Sequence, residues 1–252
     1  MLVLYNGNIM GVQRQLKLLD FIIREFVKTA RPVGSESIAR HGTFAVSPAT
    51  IRNDMSDLEQ GGYLAQLHTS GGRVPTDKAY RWFVNSLLAN DDLEPAREDK
   101  RKIRTALAGA DLDPEALNRT VANVIQQLSD QLVIAGSLGS SHFYKVGLTS
   151  LLEFPEFREV NRIFNLTSFF EEFENIFEVF EKEFFSDINS PLNVMIGKEN
   201  PMRQVRGETV ILAKYNLPDD TPGSLTLIGP TRMDYEKNLA LIKYTINEIN
   251  NL

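Results

Sequence analysis

No cysteine occurs among the 252 residues, which excludes disulfides and thiolate zinc sites and agrees with a reducing compartment. Histidine is scarce as well. His41, His68 and His142 are too scattered to suggest a metal cluster, so neither a metal nor a cofactor is expected. Apolar runs long enough to cross a bilayer are missing, so no membrane partner is expected and a cytoplasmic location is. Residues 1–12 carry an apolar patch but no basic n-region or cleavage-like site. They read as a disordered lead rather than a signal peptide, with Met10 as an alternative start. No phosphate loop is present either, because Gly71-Gly72 is not followed by Lys-Ser/Thr.

Charge is unevenly distributed. The chain carries 27 Lys/Arg and 33 Asp/Glu, a formal net of −6, which by itself argues against nucleic acid. Residues 1–88, however, hold 10 Lys/Arg and 7 Asp/Glu, leaving 17 and 26 to the remainder. Only the N-terminal part has the sign that releases phosphate counterions. A basic head on an acidic body is the implied plan.

The stretch 47–76, SPATIRNDMSDLEQGGYLAQLHTSGGRVPT, organises the rest. Ser47 is a good helix N-cap, and Pro48 suits the first helical position, where a missing N–H costs nothing. Ile51, Met55 and Leu58 form one apolar stripe. Ala49, Thr50, Arg52, Asn53 and Ser56 lie opposite it. Gly61-Gly62 stops the helix. Two strand-like runs then flank Thr69-Ser70-Gly71-Gly72, predicting a hairpin. Ahead of this stretch, 13–29 is an amphipathic helix, broken by Arg31-Pro32, and 36–40 is a short one. A closing helix follows Thr76-Asp77 through Tyr80, Phe83, Val84, Leu87 and Leu88. This succession predicts a winged helix-turn-helix at 13–89 and a DNA-binding regulator.

The acidic, Pro-interrupted stretch near 90–99 marks a boundary, and 90–112 reads as a linker with helical character. Beyond it, 114–135 reads as one helix, 136–141 (GSLGSS) as a flexible joint and 142–147 as a strand. Helices are expected at 156–164 and 168–185, the second with Phe169, Phe173, Ile176, Phe177, Phe180 and Phe184 on one side. Runs 192–197, 209–215 and 224–229 are β-type, and 234–251 closes the chain as a helix capped by Asp234. The fold class is therefore α+β with a small sheet. Aromatics at helical spacing most simply make core, and the acidic face Glu171, Glu172, Glu174, Glu178 and Glu181 most simply meets solvent. No nucleophile accompanies those carboxylates, so catalysis is not expected.

The stretch PVGSESIARHGTFAVSPATIRNDMSDLEQGGYLAQLHTSGGRVPTDKAYRWFVNSLL closely resembles the N-terminal domain of the HrcA family of heat-inducible bacterial repressors. GLTSLLEFPEF, IGKEN and LIGPTRMDYEKNLALIKYTINEIN resemble blocks of that family's C-terminal half. The S-x-x-T-I-R helix alone is shared with DeoR-type and GntR-type repressors, so a DeoR-like metabolite-responsive regulator is the alternative. A winged-helix protein-interaction module that has lost DNA binding is a further one. The resemblance implies a homodimer binding an inverted-repeat operator called CIRCE, repression of chaperone genes and tuning by the GroE chaperonin. It also implies that 113–252 is a GAF-like domain, truncated here, because 131–147 leaves no room for the family's inserted dimerising subdomain.

Arg52 and Asn53 are the sharpest candidates for base contact, since Arg bonds guanine and Asn bonds adenine bidentately. The competing reading pairs Arg52 with Asp57 or Glu59 on a solvated face. Ser47, Ala49, Thr50 and Ser56 lie where backbone N–H groups and hydroxyls can meet phosphate. On the hairpin, Arg73 is a candidate for phosphate or minor groove, flanked by His68 and Thr69. Lys78 and Arg81 are read as solubilising the closing helix.

Overall fold

The computed structural model describes residues 9–67, 71–90, 92–138, 143–184 and 191–252. Two compact units divide after Asn90. The first contains α1 (Ile9–Thr29), α2 (Ser35–Arg40), α3 (Pro48–Gln60), β1 (Leu64–Gln66), β2 (Arg73–Pro75) and α4 (Asp77–Leu88). Helix α1 already runs from Ile9, so 9–12 extend it rather than forming part of a disordered lead. It buries Leu18, Leu19, Ile22 and Ile23 and ends at Ala30, which adopts φ 53° ahead of Arg31-Pro32. Helix α3 buries Ile51, Met55 and Leu58, and α4 buries Tyr80, Phe83, Val84 and Leu87. These stripes meet in one small core. Strands β1 and β2 pair antiparallel, Leu64 with Pro75 and Gln66 with Arg73.

The second unit holds α5 (Arg97–Ala108), α6 (Pro114–Ser129), β3 (Leu132–Ser137), β4 (Phe143–Val146), α7 (Leu148–Leu152), α8 (Val160–Phe184), β5 (Leu192–Ile196), β6 (Glu208–Asn216), β7 (Pro222–Pro230) and α9 (Tyr235–Ile249). The five strands form one antiparallel sheet in the order β4-β3-β7-β6-β5. Leu132, Ile134, Val210, Leu212 and Ile228 share a cluster with Phe169, Phe173 and Phe177 of α8 and with Phe157. Alternate residues of the same strands, such as Val133, Ala135, Ile211 and Leu227, are buried too, and α6 and α9 pack on β3 and β6. A sheet covered on both faces needs apolar residues at successive positions, hence runs such as LVIA and VILA. Helix α5, within the expected linker, buries Ile103 and Leu107 against α6 and α9.

Three sequence expectations are corrected here. The helix expected to reach residue 135 stops at Ser129, because Asp130 takes a left-handed φ of 57° and caps it. Leu132–Ser137 is then a strand inside the sheet, and Gly136 and Ser137 of the expected flexible joint pair with Ser224 and Gly223. Residues 139–142 lie outside the described ones. The helices expected at 156–164 and 168–185 are one, α8, preceded by a 3-10 turn at Pro155–Arg158. Thr167 does not interrupt it, since its hydroxyl donates to Ile163 O at 2.8 Å, the i−4 carbonyl. The side chains of Ile176, Phe180, Phe184, Glu178 and Glu181 are outside the described set.

Candidate nucleic-acid interface

Helix α3 presents two chemically different faces. At its start Ser47 is the N-cap, its Oγ accepting from Thr50 N at 3.2 Å and lying 3.0 Å from Thr50 Oγ1. Ser47, Ala49, Arg52 and Asn53 are exposed, and Thr50 and Ser56 are half-buried. Asp57 and Glu59, the partners that the competing reading assigns to Arg52, bond instead to Gln15 and Arg73.

The acidic residues of α3 are all engaged elsewhere. Asp54, only 5% exposed, accepts from Arg14 of α1 through Nε at 2.6 Å and Nη2 at 2.9 Å. Asp57 accepts from Gln15 Nε2 at 2.9 Å. Glu59 accepts from Arg73 Nε at 2.8 Å. Three anchors thus hold the helix to α1 and to β2, and each gives a carboxylate a hydrogen-bonding partner. Sequence reasoning missed Arg14, Gln15 and Asp54. The usable signal was a carboxylate at position 54 within the stripe of Ile51, Met55 and Leu58, where a charge persists only if paired.

The hairpin is held as firmly. Arg73 N donates to Val33 O at 2.8 Å and Val33 N donates to Arg73 O at 2.9 Å, so the segment before α2 adds a bridge to β2. Thr76 caps α4 and donates to Gly62 O at 2.7 Å. Lys78, expected only to solubilise, donates to Gly61 O at 2.7 Å and lies 4.4 Å over the Tyr63 ring. A groove of about 590 Å³ runs along this surface, lined by Ser35, Arg52, Gln66, Gly71 and Arg73 among others. His68 and Thr69 lie outside the described residues.

Within the second unit Glu208, at the start of β6, is a buried carboxyl with a raised pKa. Burial pushes it up to about 7, opposed by the Arg162 guanidinium 3.8 Å away and by the Gly207 backbone. Arg162 also donates to Gly207 O at 2.9 Å, and Glu156 nearby pairs with Arg232. Tyr215, fully buried, donates to Asn118, and its ionisation is pushed upward by burial. Among the described residues no group of three or more His, Asp or Glu could hold a metal. No described helix is long and apolar enough to cross a membrane.

A family model described as the HrcA protein C terminal domain matches residues 76–239. The heat-inducible transcription repressor HrcA of Desulfitobacterium hafniense is 28% identical over 339 aligned residues, covering 95% of this chain and 97% of that protein. The protein of that name from Caldanaerobacter subterraneus is 28% identical over 334, covering 95% and 96%. Both alignments exceed the 252 residues of this chain, so those relatives carry stretches with no counterpart here. A crystal structure described as a hypothetical protein shares the fold, with a TM-score of 0.76 at 20% identity over 94% of this chain and 97% of its own. The chain, with its head of bound acids and outward Arg52 and its antiparallel body, belongs to the HrcA family.

Proposed function

We infer that this chain is a heat-shock transcription repressor that binds duplex DNA through α3. The first unit acts as a winged helix-turn-helix, with β1 and β2 as the wing, and the second as a shortened GAF-like regulatory domain. The observation that carries the reading is the division of charge on α3. Asp54, Asp57 and Glu59 are bound to Arg14, Gln15 and Arg73, while Arg52 and Asn53 face outward. An exposed guanidinium and carboxamide on a helix whose carboxylates are already hydrogen-bonded are chemically suited to the major groove. Ser47, Ala49, Thr50 and Ser56 are placed for phosphate contact along the same turns, and His68 and Thr69 are proposed on the wing.

The operator is an inverted repeat of the CIRCE type, bound by a homodimer with half-sites about 34 Å apart or a multiple of that. Modulation by the GroE chaperonin and action on cytoplasmic DNA belong to the same reading. The test is an electrophoretic shift with an inverted-repeat duplex and a scrambled duplex of equal composition. Preference for the repeat is expected, and Arg52→Ala should reduce that discrimination by about 1–3 kcal/mol. Equal affinity of the wild-type chain for both duplexes would overturn the proposal.

A further inference from the structure

Arg73 was expected to reach DNA, yet its side chain is only 16% exposed and its Nε is bound to Glu59 Oε2. Neutralising phosphate requires a guanidinium that reaches the DNA backbone. This one lies back against the end of α3. Its backbone is tied on the other side to Val33 by two hydrogen bonds, and across the hairpin it is in register with Gln66. The preceding residue, Gly72, approaches the same segment so closely that a Cβ there would stand 2.6 Å from the Val33 carbonyl. One residue therefore joins three elements: the recognition helix, the wing and the strand-like segment before α2. The groove beside Arg52 is lined from all three, so its width depends on this junction.

Resting on the DNA reading above, we propose that Arg73 is a positioning residue and Glu59 its partner. The pair sets the wing at a fixed distance from α3, and Arg52 and Asn53 meet base edges at the angle that distance allows. Arg73 itself touches no phosphate. An alternative use of the same geometry is a reserve phosphate contact, in which DNA pulls Arg73 away from Glu59. The two differ in salt dependence and in the effect of Glu59.

The experiment measures affinity of the full chain for inverted-repeat and scrambled duplexes across a salt series. Wild type, Arg73→Met, Glu59→Gln and the double variant are compared at a temperature where circular dichroism shows each folded. A positioning pair leaves the salt slope of Arg73→Met unchanged. Both single variants then lower the repeat-over-scrambled ratio by up to about fivefold, the scale of a half-exposed ion pair, and the double variant loses no more than either. A slope reduced by about 0.9 in Arg73→Met overturns the proposal, because one phosphate contact has gone. So does a raised repeat-over-scrambled ratio in Glu59→Gln, which decides the matter even if Arg73→Met does not fold. A wild-type chain without salt-dependent preference for the repeat fails the DNA reading itself, and the positioning role falls with it.

Discussion

Replacing Arg14 by Met tests the anchoring of α3 most directly. Met keeps much of the aliphatic stem, so the packing of α1 is largely retained. What disappears is the pair of donors, at 2.6 and 2.9 Å, that neutralises Asp54. Asp54 is 5% exposed and would be left charged among Ile51, Met55 and Leu58. Removing one partner of a fully buried pair costs about 3–5 kcal/mol. The Arg14 side chain is 35% exposed, so water can partly replace it, and about 2 kcal/mol is expected. Trp82 is the sole tryptophan and sits half-buried in α4, so its fluorescence reports unfolding of the first unit alone. A urea titration followed at Trp82 should show a lower midpoint for Arg14→Met with an unchanged slope. Adding Asp54→Asn should recover most of the loss, because the unpaired charge is then gone. A midpoint within about 0.5 kcal/mol of wild type, or no recovery in the double variant, would refute the argument that the pair pins α3.

Two further outcomes follow from geometry elsewhere. Glu208 holds its proton more tightly in the folded chain, up to about 7, so its contribution is present below the unfolded value and lost as pH rises through 7. Glu208→Gln should therefore gain stability over wild type between pH 5 and 8, on the order of 3 kcal/mol at most, in thermal melts by circular dichroism. A difference that shrinks with rising pH would contradict this sign. Gly72→Ala places a methyl 2.6 Å from the Val33 carbonyl and should destabilise the first unit by about 1–3 kcal/mol at Trp82. An unchanged midpoint would mean that the hairpin shifts without cost.

How much could be read from the chain depended on whether the determining interaction was local. Ser47, Pro48 and the spacing of Ile51, Met55 and Leu58 act within a few residues, and α3 forms where they indicate. Asp234 likewise caps α9, accepting from Lys237 N at 3.0 Å. Strand β3 was hidden because LVIA directly follows a helical stripe, and a short apolar run suits a buried strand as well as a helix turn. Its place in the sheet is decided by pairing with β4, the next strand, and with β7, which lies far away in sequence. The partner of Arg73 was hidden for the same reason. Spacing along one helix suggested that Glu59 or Asp57 would attract Arg52, whereas folding brings residues 73 and 15 to those carboxylates.

Because Ala49, Arg52 and Asn53 take no part in the hydrogen bonds that anchor α3, binding preference can be edited independently of folding. Substitutions at 49, 52 or 53 leave the carboxylates at 54, 57 and 59 with their partners. A library varied at those three outward positions should yield many well-folded heads with new targets, whereas one varied at the anchors should yield few.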